Sequence, residues 1–463
     1  MIRRHFKAAF QKKFVRDTVM LQAASLVQSG TYLITSLITT RMLSKVEFGS
    51  WTTSRELYTV LFFVANLGLA NAAVSRYSKA KGTGDGKASV LALAALLKLG
   101  CFMATAVVLM GWLLAPELGS YYYADRSVGV VAGILCLATV GEVLRSLTLA
   151  ICNGTRQMRT YAAFDVTTNI LRVGLVTVAL FISPTPTSAA WAFVAHASLS
   201  GGAGLYLYRR ARRLPADLAP PRFRTVLAAI PRAPLSSFFG LSFLLALSKS
   251  LSTVVPRLGM LFIPAVAVAQ HMGEEGMEGN AAYKVGSVLT MVLGGAIGAI
   301  GTNILPTLGL KIGQSDVPIE KMGGILRRLS LTAGGLSIGA TLLSVPVAWL
   351  VITYGYGAPY AESFEIYLLL ASGYLFAGFG VIVEPFYIYT GRMKHCVVQN
   401  LIYASLLTAG IYMATTTWGP AGAAAAAGLG QAVVLFHLVY IYIYFHRSSA
   451  RLEGTGGGGG DLQ

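Results

Sequence analysis

The stretch YRRARRLPADLAPPRFRTVLAAIPR, residues 208–232, holds seven arginines and four prolines between two long apolar regions. So many cations are costly in hydrocarbon, and the prolines deny the stretch a long helix. It reads as a connector, and what flanks it decides the fold. A membrane span needs ~20 mostly apolar residues. Six such runs precede the connector, at about 19–43, 51–74, 88–115, 128–152, 159–183 and 188–208. Six follow it, at about 235–264, 280–309, 327–354, 362–389, 396–416 and 420–446. The expected fold is an all-α integral membrane protein with twelve transmembrane helices in two six-helix lobes.

The halves echo each other. NGTRQMRTYAAF (153–164) joins the fourth and fifth runs, and YTGRMKHCVVQN (389–400) joins the tenth and eleventh. ITTRMLSKVEFG (38–49) ends the first run, and VVPRLGMLF (254–262) closes the seventh. Equivalent turns in two six-helix halves suggest parallel repeats about a pseudo-two-fold axis along the membrane normal, with the substrate path between the lobes. In GGAIGAIG (294–301), Gly294 and Gly298 stand four apart, a spacing that lets membrane helices pack closely and slide.

Composition agrees. Of 463 residues, 55% are hydrophobic and only 12% charged, against about 25% charged in soluble domains. The 51 glycines and 16 prolines suit membrane helices. The net charge of +18 invites a nucleic-acid reading. Its distribution points instead to membrane orientation. With the N-terminus inside, 27 Lys and Arg fall on inside segments and three on outside loops. Both termini are therefore expected in the cytoplasm.

The domain reading follows. Residues 1–18 carry Ile2, Phe6, Phe10 and Phe14 at steps of four among basic residues, which reads as an interfacial helix on the inner leaflet. The N-lobe is 19–208, the basic cytoplasmic linker 209–234 and the C-lobe 235–446. Residues 447–463 form a cytoplasmic tail, whose glycine-rich end reads in part as a cloning remnant. The first apolar run lacks a small-residue cleavage site and is expected to remain as a span.

No enzyme chemistry is readable. Cys101, Cys136, Cys152 and Cys396 lack CxxC spacing and read as small buried hydrophobes. GTGDGKAS (82–89) departs from a Walker A loop, because Lys81 and Ala88 stand where Gly and Ser or Thr are needed. His196 and His437 are lone histidines in apolar runs and read as packed neutral side chains. No metal-ligand or cofactor-binding spacing is present.

Seven cations remain inside the proposed spans: Arg55, Lys98, Arg145, Arg172, Lys249, Arg257 and Lys284. The acids at comparable depth are Glu56, Glu142, Asp165 and Glu384. In LSKSLSTVVPRLGMLFIP (247–264), Lys249 and Arg257 lie eight residues apart around Pro256. At 1.5 Å per residue that is about 12 Å, too far for both to reach one interface. One at least should face a wet interior, with a helix break at Pro256. Arg55, Lys249, Arg257 and Lys284 come from equivalent helices of the two halves. They are the expected binding set for an anion, and phosphate suits the arginine fork. Glu384, Asp165 and Glu142 are the candidates for ion coupling. Asp165 and Arg172, two helical turns apart, offer a weak pair as an alternative.

RMLSKVEFGSW followed by FFVANLGLANAAVSRY resembles the first helix-loop-helix of bacterial polysaccharide flippases. AAYKVGSVL (281–289) and WGPAGAAAAAGLGQ (418–431) resemble that family as well. These flippases belong to the multidrug/oligosaccharidyl-lipid/polysaccharide exporter superfamily. The chain departs from the pattern at residues 256–279 and at Asn66, where the family often carries an acid. The resemblance implies flipping of a sugar repeat unit on polyprenyl diphosphate across the bacterial inner membrane, for O-antigen, capsule or exopolysaccharide. It implies a monomer among membrane lipids, beside the polysaccharide polymerase machinery, with no nucleic acid and no cofactor. The alternatives are a multidrug or cation antiporter of the same superfamily, for which an acidic cavity is expected, and a peptidoglycan-precursor flippase, which has two further helices.

Overall fold

The computed structural model describes residues 2–66, 76–81, 83–155, 157–212, 219–234, 247, 251, 254–313, 319–383, 386–387, 390 and 392–456. No strand occurs among them. The first half contains α1 (Ile2–Met42), α2 (Lys45–Asn66), α3 (Gly86–Leu113) and α4 (Ala115–Tyr123). It continues through α5 (Arg126–Gly154), α6 (Met158–Ile182) and α7 (Pro186–Ala211). Between the halves lies the short α8 (Phe223–Ala229). The second half contains α9 (Gly259–Ala269), α10 (Gly273–Gly313), α11 (Ile319–Leu350), α12 (Ser363–Ser372), α13 (Met393–Gly430) and α14 (Val433–Gly456).

Local chemistry sets the helix starts. The Asp85 carboxylate accepts from the Ala88 amide at 2.9 Å and caps α3. Asp125 caps α5 by accepting from the Ser127 amide at 2.8 Å. Thr185 caps α7, with Pro186 in its first turn. Each cap satisfies an amide that the helix leaves without an internal acceptor. The apolar runs at 88–115, 128–152, 159–183 and 188–208 match α3, α5, α6 and α7 to within a few residues.

Six stretches among the described residues are long and apolar enough to cross a membrane. They are Gly86–Leu113, Arg126–Gly154, Met158–Ile182, Gly323–Tyr356, Ser363–Ile382 and Lys394–Phe445, the last of 52 residues. Large apolar side chains stay exposed on them, Phe181 at 81%, Leu343 at 74% and Phe436 at 76%. Water would penalise that surface and lipid would not.

Other elements depart from the simplest reading. α1 is continuous across residue 18, so no break separates the tail from the first apolar run. α1 and α10 have 41 residues each, about 60 Å of helix against a ~30 Å hydrocarbon core. The eleventh and twelfth runs are separated at Gly419, whose φ of 57° is open to glycine, just before Pro420. The tenth run is not one α-helix. After α12 it passes through the short Tyr374–Ala377 helix into a 3₁₀ segment at Gly378–Ile382. A Cβ on Gly378 would lie 2.3 Å from the Ala333 carbonyl, so this segment sits hard against α11.

The described part of the connector is folded onto the first half. The Tyr208 hydroxyl donates to the Pro221 carbonyl at 2.7 Å, and Lys81 Nζ donates to the Ala219 carbonyl at 2.6 Å. Val226 of α8 is buried among Leu93, Leu97 and Leu147. Lys98, counted in a span from sequence, donates to the Pro231 and Ala233 carbonyls at 3.3 and 3.4 Å. It fastens the connector.

Small residues bring the helices together. A Cβ on Gly141 of α5 would fall 2.2 Å from the Ala197 carbonyl of α7, and one on Gly129 would fall 1.9 Å from the Ala115 carbonyl of α4. Such contact lets van der Waals packing hold helices that the hydrophobic effect cannot join in lipid. Gly294 receives the Tyr374 ring and Gly295 faces Ser29 of α1. The side chain position of Gly298 lies outside the described residues.

Candidate functional site

α2 and α10 run side by side in the same direction, joining the first half of the chain to the second. A Cβ on Gly49 would stand 2.0 Å from the Met277 carbonyl, so the backbones touch there. One turn on, Asn280 Nδ2 donates to Thr53 Oγ1 at 2.8 Å. Another turn on, Lys284 Nζ donates to Glu56 Oε1 at 2.7 Å. Positions 49, 53 and 56 share one face of α2, and 277, 280 and 284 share one face of α10.

The Glu56–Lys284 pair is the centre of the site. The Glu56 side chain is 2% exposed and that of Lys284 6%. Arg257 Nη1 approaches the other Glu56 oxygen at 3.8 Å, and its side chain is 31% exposed. It is presented by the 3₁₀ turn Val255–Arg257, where Pro256 interrupts the helix as the sequence suggested. The Tyr283 hydroxyl reaches the Pro256 carbonyl at 3.5 Å.

Two more guanidinium groups close the cluster. Arg172 of α6 lies over the Tyr32 ring of α1, 4.1 Å from its centroid. Arg55 lies 5.4 Å from the same ring and 5.3 Å from that of Phe193 on α7. Aromatic faces hold cations without neutralising them. Arg257 is within Coulombic range of Arg55, Lys284 and Tyr32. Lys284 and Arg257 therefore share the Glu56 carboxylate, Arg55 precedes it on α2, and Arg172 joins Arg55 at the Tyr32 ring, so cations outnumber acids where α1, α2, α6 and α10 converge.

This arrangement corrects the sequence reading in two respects. Glu56 was read only as an acid at comparable depth, yet it neutralises Lys284 directly. The weak Asp165–Arg172 pair offered as an alternative gives way to Arg172 stacking on Tyr32. Asp165 pairs instead with Arg145, whose other terminal nitrogen donates to Glu142 at 3.1 Å. Of the expected binding set, the structure brings Arg55, Arg257 and Lys284 together. Lys249 and Glu384 lie outside the described residues. Arg172 and Tyr32 were missed as site residues. Arg172 is buried at 5% exposure, and its place among the seven cations inside the proposed spans was the available signal.

A second cluster sits about 16 Å away, eleven residues back along α2 at 1.5 Å each. Lys45 Nζ bridges Glu362 at 2.7 Å and Glu278 at 3.5 Å. Arg41 donates to the Gly355 carbonyl at 2.6 Å, and the Tyr356 hydroxyl donates to Ser36 Oγ at 3.0 Å. The Phe48 and Tyr360 rings meet edge to face. These contacts tie residues 36–48 of the first half to 278 and 354–362 of the second.

Solved structures share this fold. The MATE multidrug transporter DinF-BH superposes with a TM-score of 0.65 at 12% identity, covering 93% of this chain and 95% of its own. MATE in complex with MaL6 gives 0.64 at 15% identity, covering 93% and 96%. An inward-facing multidrug resistance MATE family transporter of the MOP superfamily gives 0.60 at 15% identity, covering 92% and 95%. At such identities the likeness is one of fold. No curated protein matches the chain. Residues 14–309 match the family described as "Polysaccharide biosynthesis protein". With well over half of its length so matched, the chain is a transporter-fold membrane protein that belongs to the polysaccharide biosynthesis protein family.

Proposed function

We propose that this protein flips polyprenyl-diphosphate-linked oligosaccharide repeat units across the bacterial inner membrane. Twelve spans in two six-helix lobes alternate access to a central site, with both termini cytoplasmic and an ion gradient or membrane potential as the driving force. The observation that carries this reading is the excess of cations at one place, with Lys284 and Arg257 on Glu56 and Arg55 and Arg172 gathered beside them at the Tyr32 ring. An unbalanced cationic site asks for an anion, and a diphosphate supplies paired oxygens that match the guanidinium fork. An organic cation would meet repulsion there.

The groups divide the work. Lys284 and Glu56 hold α2 to α10. Arg257, 31% exposed and 3.8 Å from Glu56, exchanges that carboxylate for the incoming diphosphate. Arg55 and Arg172 are held by rings and keep their charge for the cargo. Glu142 and Asp165 on Arg145 form the coupling group. The Lys45–Glu362 cluster closes the outer face while the head group is loaded from inside.

The test is complementation in a strain lacking the gene. Arg257→Ala should abolish glycan export while the protein accumulates in the membrane, and Arg257→Lys should fall between, because it keeps the charge and loses the fork. Full export by Arg257→Ala would overturn the proposal. Export of organic cations by a protein inert toward the glycan would support the antiporter instead.

A further inference from the structure

A groove of 840 Å³ opens on the flank of the first half, between the start of α6 and the end of α7. It is separate from the cation cluster. Gln157, Arg159 and Arg210 line one end, and Phe164, Leu207 and Ala203 line the part further along the helices. Arg159 lies in the first turn of α6 and Arg210 in the last turn of α7, so both residues stand at the same end of this helix pair. From Gln157 to Thr167, the last α6 residue in the groove, is ten residues, about 15 Å of helix at 1.5 Å each. That is half of a ~30 Å hydrocarbon core. Under the orientation proposed above, the basic end lies at the inner headgroup layer and the apolar end reaches toward mid-membrane.

We propose that this groove binds an anionic phospholipid of the inner leaflet. The two arginines take the phosphate in charge-assisted hydrogen bonds, and the acyl chains lie along Phe164 and Leu207. Paired cations over an apolar trough match an amphiphile that is anionic at one end and hydrocarbon for the rest. Basic pockets between membrane helices on the cytoplasmic side hold lipid headgroups in this way. A lipid seated there packs α6 against α7, which deliver Arg172 and Phe193 to the central site.

Binding is measured on the full chain in detergent, by native mass spectrometry with dioleoyl phosphatidylglycerol and dioleoyl phosphatidylcholine. Phosphatidylglycerol should bind and phosphatidylcholine should not. Arg159→Ala with Arg210→Ala should weaken binding about thirtyfold, the product of two basic contacts to an anionic lipid. Ala203→Trp should weaken it with both arginines in place, by filling the trough. Arg222→Ala with Arg224→Ala removes equal charge from the connector and should leave binding unchanged. Equal binding of the two lipids, equal losses in the two arginine pairs, or displacement of the lipid by inorganic diphosphate at equal concentration would each overturn the proposal. Arg257→Ala should bind the lipid normally, so this test and that of the transport reading fail independently.

Discussion

Glu56 shows why residue types alone misjudge a buried site. The excess of cations over acids in the spans was readable, and so was the isolation of Arg257 beside Pro256. The pairing was not. Glu56 and Lys284 are 228 positions apart, and only the packing of α2 on α10 joins them. Breaking a buried pair leaves one charge stranded, at a cost of about 3–5 kcal/mol, whereas replacing both partners with apolar residues of similar volume is often neutral. Glu56→Leu alone should therefore lower the thermal unfolding midpoint of the purified protein. Glu56→Leu combined with Lys284→Met should recover most of that loss. If the double variant is less stable than the single one, the pair contributes more than each group's need for a partner, and Lys284 is not chiefly a structural tie.

At the scale of helices, the sequence was most informative where chain chemistry is local. The apolar runs fell within a few residues of α3, α5, α6 and α7, and the gap read between the runs at 396–416 and 420–446 falls at Gly419. Composition could not reveal that α1 continues unbroken through residue 18, because an amphipathic tail and a helix extension share one periodicity. Nor did it reveal that Lys45 reaches across to Glu278 and Glu362. Under the proposed alternating access, that contact should open as the two halves move apart. Cysteines at positions 45 and 362, joined by a short bifunctional thiol reagent in a background without native cysteines, should hold the outer face shut and stop export. Each single cysteine variant treated alike should export normally. Undiminished export from the cross-linked protein would show that this end does not open during transport.

For the molecule as a whole, the apolar runs and charge asymmetry led to an all-helical membrane protein, and the resemblance to polysaccharide flippases led to a transporter. The fold shared with MATE structures agrees with that class. At 12–15% identity that likeness carries the fold and says nothing of the cargo. The driving force is testable through the second charged group. Arg145 holds both Glu142 and Asp165, so protonation of one carboxylate would release the guanidinium to the other. One charge crossing 100 mV is worth about 2.3 kcal/mol, enough to bias a rocking equilibrium nearly a hundredfold. In sealed vesicles without ATP, ionophores that collapse the ion gradients and the potential should stop accumulation by the unaltered protein. Asp165→Asn should slow accumulation under a gradient while leaving passive exchange in place. Accumulation indifferent to ionophores would remove ion coupling from the mechanism.

The most direct measurement reconstitutes the purified protein in vesicles with a fluorescent polyprenyl-diphosphate oligosaccharide and follows its protection from an enzyme or quencher confined to one side. The unaltered protein should move the lipid-linked sugar between leaflets, while Arg257→Ala and Arg172→Ala, folded and equally incorporated, should not. Movement at the same rate by all three proteins, or by none while an organic cation is carried, would contradict a cationic site built for a diphosphate.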